Sequence, residues 1–188
     1  MKKSLLLALA LVLTTAVFAQ NRAIHLRETF DSASLPEGWT VTETGAANWV
    51  ISESNNAGGE ANELMLSPTP QAAGITRIIT KPIDLTGMSS VTISFRHYFK
   101  KKSTSAIIGV ATSANGSTWS SAWTRTYSED GQYTVLENIS NADMGKQNVM
   151  FCIYFLGNTN NINGWYFDNL EIISLVETDA KAQSIDLG

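Results

Sequence analysis

Residues 90–101, with the sequence SVTISFRHYFKK, decide the fold of this chain. One set of alternate positions holds Val91, Ile93, Phe95, His97 and Phe99, and the other holds Thr92, Ser94, Arg96, Tyr98 and Lys100. Because successive side chains of a strand point to opposite faces, the first set predicts a face in the core and the second a face in water. We therefore expect a half-buried strand of an antiparallel sheet.

Similar short runs fill the chain from residue 22 onward, separated by clusters of Gly, Asn, Ser, Asp and Pro. They predict further strands at residues 22–30, 48–52, 63–67, 75–81, 106–112, 118–127, 133–138, 147–157 and 164–176. The run at 147–157 is apolar on both faces, which places it at the centre of a sheet or under a covering loop. Without a convincing helical stripe, the pattern predicts an all-β fold, either a β-sandwich or a jelly roll of two antiparallel sheets.

Two dipeptides predict tight connections between neighbouring strands. Asn115-Gly116 and Asp130-Gly131 each lie between two strand patterns. Both pairs readily adopt the positive φ angles of two-residue hairpin turns, so we expect a hairpin at each.

The beginning of the chain predicts a cleaved secretory signal peptide. Lys2 and Lys3 precede an apolar run that is too short to span a bilayer, and the stretch ends at Ala19. The mature chain is then expected to be exported to the periplasm, the cell surface or the medium, with no membrane span after cleavage. The expected organisation is a signal peptide at 1–19, one β-sandwich domain at 20–176 and a polar tail or linker at 177–188.

Composition narrows the classes of function. The chain has 188 residues, 44% of them hydrophobic and 16% charged, and a net charge of −4 that becomes −6 when the two lysines of the signal peptide are removed. Nucleic-acid binding requires clustered basic charge, so nucleic acid is not an expected partner. The one cysteine, Cys152, cannot form an internal disulfide, and its apolar neighbours predict a buried thiol with a raised pKa.

No catalytic constellation stands out in the sequence. His25 and His97 lack the spacing of a metal motif, and there is no nucleophile elbow or phosphate-binding glycine loop. His97 is interpreted as a core histidine, and no catalytic residue is expected. A glycan hydrolase would need two carboxylates facing across a groove; the candidates for that alternative are Glu43, Glu53, Glu60, Glu63 and Asp130.

Aromatic residues offer a binding surface instead. Trp119 and Trp123 lie four positions apart on one predicted strand, with Ser121 between them. Equal parity places both rings on one face, where they either fill the core or form a ladder on which sugar rings stack. Both are candidate ligand-binding residues, with packing in the core as the alternative.

Four stretches together resemble one family. They are residues 27–39 (RETFDSASLPEGW) followed by Asn48-Trp49, residues 81–95 (KPIDLTG leading into VTISF), residues 111–119 (ATSANGSTW) and residues 164–172 (GWYFDNLEI). Their order and spacing are similar to those of the cleaved adhesin domains, the MAM-like jelly-roll modules of bacterial secreted and surface proteins. Asn169 stands where that family often has a second aspartate.

The resemblance implies a β-sandwich that binds glycans or host proteins, occurs beside other modules of a surface assembly, and is stabilised by calcium. The first and last strands of a jelly roll commonly lie side by side, which would bring Glu28 and Asp31 near Asp168. Carboxylate oxygens suit Ca²⁺, so these three are the candidate metal ligands. The alternative is that Glu28 and Asp31 are exposed and that Asp168 caps a turn.

We therefore expect an exported, non-enzymatic adhesin-like module that binds a carbohydrate or a host or other extracellular protein. The alternatives are a small secreted glycan hydrolase and a structural spacer in a surface assembly. Two carboxylates facing each other across a cleft at about 5 to 10 Å would favour the hydrolase. A surface without an aromatic or polar pocket at the loop ends would favour the spacer.

Overall fold

A computed structural model describes residues 21–42 and 44–176. The predicted signal peptide, Glu43 and the predicted tail lie outside the described residues. The strands are β1 (Asn21–Glu28), β2 (Thr40–Val41), β3 (Trp49–Ser52), β4 (Glu63–Leu66), β5 (Ala73–Ile79), β6 (Val91–Lys101), β7 (Ile107–Ser113), β8 (Ser120–Thr126), β9 (Gly131–Ile139), β10 (Met150–Asn158) and β11 (Ile162–Val176), with short 3-10 turns at Ala46–Asn48 and Thr159–Asn161. In this part of the chain no helix has the length and apolarity to cross a membrane.

Two antiparallel sheets pack face to face, which confirms the predicted β-sandwich. The first sheet has the order β3-β4-β11-β6-β9, with β1 also paired to β11, and the second has the order β2-β5-β10-β7-β8. β6 buries Val91, Ile93, Phe95 and Phe99 as its alternation predicted. β10, which is apolar on both faces, is the central strand of the second sheet.

β11 is the long strand that organises the first sheet. Its first half pairs with β4, and its second half, from Leu170, pairs with β1. Its register with β6 shifts between Asp168 and Glu171, so one extra residue bulges where β11 exchanges one neighbour for the other. The first and last strands of the described chain therefore lie side by side, as expected.

One of the two predicted hairpins is wrong. Asn115-Gly116 lies in the loop of residues 114–119 that connects β7 to its partner β8, so the hairpin forms; Gly116 has a positive φ of +73° but Asn115 does not, so the turn is longer than two residues. Asp130-Gly131 leads from β8, which pairs with β7, to β9, which pairs with β6 in the other sheet. The chain crosses between sheets there, because a turn signal fixes a change of direction but not the identity of the next partner. β2 was not predicted, since two residues carry no periodicity.

The prediction that Trp119 and Trp123 share one face is wrong for Trp123. The pairing of β8 with β7 skips Ala122, and this bulge reverses the parity of the strand between the two tryptophans. Trp123 is 5% exposed and packs in the core against Phe95, with ring centroids 5.4 Å apart. Trp119 is partly exposed and contacts Arg77 on the outer face of the second sheet.

Candidate functional site

Four acidic residues lie around the place where β11 exchanges β4 for β1. Glu63 begins β4, Glu28 ends β1, and Asp168 lies on β11 between the positions that these two strands contact. Asn62 Nδ2 donates a hydrogen bond of 2.8 Å to the carbonyl of Asp31, which ties the loop before β4 to the chain after β1. We call Glu28, Asp31, Glu63 and Asp168 the carboxylate site.

Asp168 is the buried aspartate of the carboxylate site. Its side chain is 2% exposed, and its Oδ1 accepts a hydrogen bond of 2.6 Å from the N–H of Asn169. Burial raises the pKa of Asp168 to about 6, and the negative charges of Asp31 and Glu63 add to the rise, against the opposing effects of the Asn169 N–H and of Arg96. The protein therefore holds a carboxyl group whose ionised form lacks enough compensating positive charge.

Glu63 has a different role, because its hydrogen bonds are complete. It is fully buried, and its carboxylate accepts bonds from Ser54 Oγ at 2.6 Å, from the N–H of Asn56 at 2.7 Å and from the N–H of Ala57 at 2.7 Å. Glu63 thus fixes the loop that lies over the first sheet, and its charge stays within reach of Asp168.

The backbone around the carboxylate site is strained. In the described part of the chain the non-glycine residues with positive φ are Phe30 (+55°), Asn62 (+76°) and Asn169 (+53°), one from each of the three segments that meet here. Gly59, with φ of +137°, lies so close that an added Cβ would overlap Asp168 Oδ2. Such conformations persist only where the surroundings enforce them, and they cluster at functional sites.

The structure brings together two of the three predicted metal ligands. Asp31 and Asp168 are close enough for their charges to interact, whereas Glu28 Oε1 accepts a hydrogen bond of 2.8 Å from the N–H of Phe30. Among the described residues no three His, Cys, Asp or Glu side chains are arranged to hold a metal by themselves. A cation here would need backbone carbonyl oxygens as well, which Ca²⁺ accepts. The buried Asp168 carboxyl and the surplus negative charge fit such a cation.

His97 lies on the opposite face of the same sheet and is a core residue, as predicted. It is fully buried, and Trp165 Nε1 donates a hydrogen bond of 3.2 Å to its Nδ1. Nε2 is 3.3 Å from the Tyr127 hydroxyl, so the neutral ring donates there from Nε2. Burial lowers the pKa of His97 to about 4. Its partners are those of a neutral structural imidazole.

A second candidate site is the outer face of the second sheet. Arg77, Tyr154, Gly109 and Thr124 lie side by side on β5, β10, β7 and β8. The Tyr154 ring covers Gly109, where an added Cβ would be 2.6 Å from it, and the Tyr154 hydroxyl is 2.9 Å from Thr124 Oγ1. The missing side chain of Gly109 lets the ring extend across the sheet. We call the surface of Arg77, Trp119, Thr124 and Tyr154 the outer platform.

Small buried residues form the floor of the outer platform. Cys152 and Ala111 point away from the core, yet they are only 1% and 4% exposed. The pKa of the Cys152 thiol is raised to about 12, chiefly by burial. The Arg77 guanidinium lies 5.7 Å from the centre of the Trp119 ring. Long side chains therefore cover small ones, and the result is a broad, partly aromatic surface.

A groove of about 460 Å³ lies beside β1, away from the outer platform. Trp39 lines it, but that ring packs edge-on against Phe30 at 5.7 Å. Arg27, on the same lining, is paired with Glu171 at 2.6 Å. The groove offers charges of both signs and an aromatic ring that is already packed, so it is a weaker binding surface than the outer platform.

Sequence reasoning identified Trp119 but missed the rest of the outer platform. Arg77 and Tyr154 are direct cross-strand neighbours that lie 77 positions apart in the chain. No local sequence pattern predicts that they pair. The available signals were a glycine within an apolar strand, Gly109, and an aromatic residue on the second face of the central strand.

Comparison with known proteins bears on the fold. No family model and no curated protein matches the chain. Among solved structures, the chain is similar to the K3 cleaved adhesin domain of Lys-gingipain from Porphyromonas gingivalis W83, at 16% identity and a TM-score of 0.59, covering 82% of this chain and 99% of that one.

Carbohydrate-binding modules are similar to the chain as well. The CBM22-1 xylan-binding domain of Paenibacillus barcinonensis Xyn10C matches with 13% identity and a TM-score of 0.56, over 85% of this chain and 99% of that one. TmCBM61 in complex with β-1,4-galactotriose matches with 10% identity and a TM-score of 0.52, over 79% and 94%. Parts of glycosidases share the fold too, among them 25% of an exo-β-agarase. The chain thus has the β-sandwich fold of the cleaved adhesin domains, which carbohydrate-binding modules also have.

Proposed function

We propose that this chain is an exported, non-enzymatic module that binds a glycan on the outer platform. The observation that carries the proposal is the Tyr154 ring laid across Gly109 with its hydroxyl at Thr124, while its cross-strand neighbour Arg77 reaches the Trp119 ring. An aromatic face makes dispersion contacts with the C–H face of a sugar ring, and neighbouring hydroxyls supply hydrogen bonds. The shared fold of a xylan-binding domain and of a galactotriose complex supports a glycan as ligand.

We also propose that Ca²⁺ stabilises the module at the carboxylate site. Asp168 and Asp31 would hold the cation and backbone carbonyls would complete the shell, whereas the predicted third ligand, Glu28, accepts a hydrogen bond from the N–H of Phe30. When bound, Ca²⁺ supplies the positive charge that the buried Asp168 lacks. The raised pKa of Asp168 supports this assignment, since a cation would favour its ionised form.

The experiment for glycan binding uses the mature chain, residues 20–188. Neutral and acidic polysaccharides are immobilised, and the affinities of hits are measured by calorimetry. We expect Trp119→Ala and Tyr154→Ala each to weaken binding about tenfold or more, which corresponds to about 1.4 kcal/mol. Tyr98→Ala is the matched control, because Tyr98 pairs with Tyr166 on the outer face of the other sheet, with ring centroids 6.1 Å apart.

Each other outcome assigns a different function. Loss of binding in the Tyr98 variant alone would move the site to the first sheet, and loss in Trp39→Ala alone would move it to the groove. Capture of an extracellular protein without any glycan would replace the glycan by a protein ligand. Failure to bind any glycan or protein would contradict the proposal and leave a spacer of a surface assembly.

The hydrolase alternative has one observation in its favour, the raised pKa of Asp168, which a general acid needs. Two contacts argue against it. Gly59 lies against the Asp168 carboxylate, and Glu63 is fully buried with hydrogen bonds to its own loop. Both acids are buried, so a glycan chain would not reach them, whereas a single cation could. Release of reducing sugar from a bound polysaccharide, lost in Asp168→Asn, would overturn the non-enzymatic part of the proposal.

A further inference from the structure

We propose that the glycan on the outer platform carries a carboxylate, as a uronic acid does, and that Arg77 pairs with it. The inference rests on the proposed glycan function and names the substrate class of the same site. It comes from the position of one cation on a surface whose other described side chains are uncharged and partly aromatic.

The backbone of Arg77 is fixed from both sides. β5 lies between β2 and β10, and Arg77 is directly opposite Tyr154 on β10. On the other side, its N–H donates to Thr42 Oγ1 at 3.0 Å and its carbonyl accepts from the N–H of Thr42 at 3.0 Å. The guanidinium therefore extends from an anchored position within the sheet.

The guanidinium has aromatic and thiol contacts but no carboxylate partner among the described residues. The ion pairs in this part of the chain are Arg27–Glu171 and Lys146–Asp143, which lie elsewhere. Its neighbours are the Trp119 ring at 5.7 Å and the Cys152 thiol. Burial keeps that thiol protonated, so it does not neutralise the cation.

The rest of the outer platform adds no described charge. The other described outward residues of the four strands are uncharged, as Ile75, Ile79, Cys152, Leu156, Ile107, Ala111, Ser121 and Thr124 show. Arg125 lies at the inner side of β8, with its guanidinium 5.6 Å from the Trp123 ring. Among the described residues, a ligand on this face therefore meets one positive charge beside an aromatic ring.

The geometry favours a carboxylate on a sugar ring. The Arg77 guanidinium lies 5.7 Å from the centre of the Trp119 ring, so a sugar ring bound beside Trp119 places an exocyclic group within reach of Arg77. A guanidinium presents a planar fork that matches a carboxylate with two parallel hydrogen bonds. A neutral sugar would cover the cation without compensating its lost hydration, whereas a uronate would replace that hydration with an ion pair.

The test compares acidic polysaccharides with their own neutral forms. Polygalacturonate and glucuronoxylan are each used before and after carboxyl reduction, which converts the uronic acid to a neutral sugar and keeps every linkage. We expect at least one polymer to bind about tenfold or more tightly before reduction. Arg77→Gln should remove this preference, whereas Arg125→Gln, the matched control, should keep it. The preference should also weaken as salt rises.

The outcomes separate this inference from the proposed function. Equal binding of intact and reduced polymers, still lost in Trp119→Ala, would overturn the uronate inference and leave the glycan module standing. A preference that survives in Arg77→Gln would overturn the role of Arg77. Tighter binding of a sulfated polymer such as carrageenan would replace the carboxylate by a sulfate. Binding to no polymer in either form would overturn the glycan function itself.

Discussion

His97 and Asp168 are buried ionisable residues on paired strands, and they differ in the hydrogen-bond partners and charges that surround them. His97 on β6 is opposite Phe167 on β11, so Asp168 is one position further along. Burial favours the neutral form of both, since it lowers the pKa of His97 to about 4 and raises that of Asp168 to about 6. The neutral His97 has two partners from the core, Trp165 and Tyr127.

Asp168 lacks a comparable set of partners among the described residues. Its oxygen Oδ1 accepts from the N–H of the next residue, and its other neighbours include the acids Asp31 and Glu63. A protein that needed Asp168 only for packing would gain by replacing it with a neutral residue. The comparison shows that burial alone does not identify a binding group. What distinguishes Asp168 is burial beside charges of its own sign.

The largest effect on the free energy of unfolding should come from substitution of His97. His97→Ala removes a fully buried ring and leaves Trp165 Nε1 without an acceptor, so we expect a loss of about 3–5 kcal/mol in the free energy of unfolding. Urea denaturation measures it. His25→Ala is the control, because His25 is half-buried and makes one bond of 2.8 Å to Ser174 Oγ. A loss as small as that of the control would mean that the aromatic cluster repacks around the missing ring.

The second largest effect should come from Ca²⁺, which would supply a positive charge next to the Asp168 carboxylate. At a Ca²⁺ concentration of 100 times its dissociation constant, we expect an increase of about 2.7 kcal/mol in the free energy of unfolding. A chelator should lower the melting temperature of protein prepared with calcium. Asp168→Asn should abolish both responses, whereas Asp84→Asn, which alters an exposed acid bonded to Thr86, should preserve them. Identical melting curves with calcium and chelator would refute the calcium site.

The smallest effect should appear in the pH dependence of stability without metal, because the contributions of His97 and Asp168 have opposite signs. Between about pH 4 and 6 the folded chain keeps a proton on Asp168 that the unfolded chain, with a pKa of 3.8, has released, so this contribution to stability falls as pH rises. Between about pH 4 and 6.5 the unfolded chain holds a proton on His97 that the folded chain lacks, so this contribution rises with pH.

Urea denaturation from pH 4 to 7 in a chelator separates the two contributions. Asp168→Asn should make stability rise more steeply with pH than in the wild type, since the opposing slope is removed. The stabilisation by calcium should grow as the pH passes 6, because the cation binds the ionised carboxylate. A wild-type profile that superimposes on that of Asp168→Asn would show that Asp168 is not protonated in this range.

Much of the fold could be predicted from the sequence, because strand alternation is a local signal. The β6 pattern gave the correct inward set, and the doubly apolar run gave the central position of β10. Prediction failed where one bulged residue reverses the alternation of side chains between the two faces of a strand. The unpaired Ala122 sends Trp123 into the core although its parity matches that of Trp119.

The sites were predictable only in part, because their contacts are long-range. The pairing of the first and last strands followed from the fold and brought Asp31 near Asp168. The proximity of Glu63 and Gly59 to Asp168 depends on how a loop folds over the first sheet, which no periodicity encodes. The row of Arg77, Tyr154 and Gly109 depends on strand order in the second sheet.

The pairing of β1 with β11 also sets how the module would respond to mechanical load. Asn21 is opposite Val176, so both ends of the described chain leave the sandwich at the same place. A pull between those ends would peel the two strands apart one pair at a time, instead of shearing all their hydrogen bonds together. The peeling would run to Glu28 opposite Leu170, where the carboxylate site begins. A cation held there would resist further peeling, so β1 could detach from β11 without the core opening.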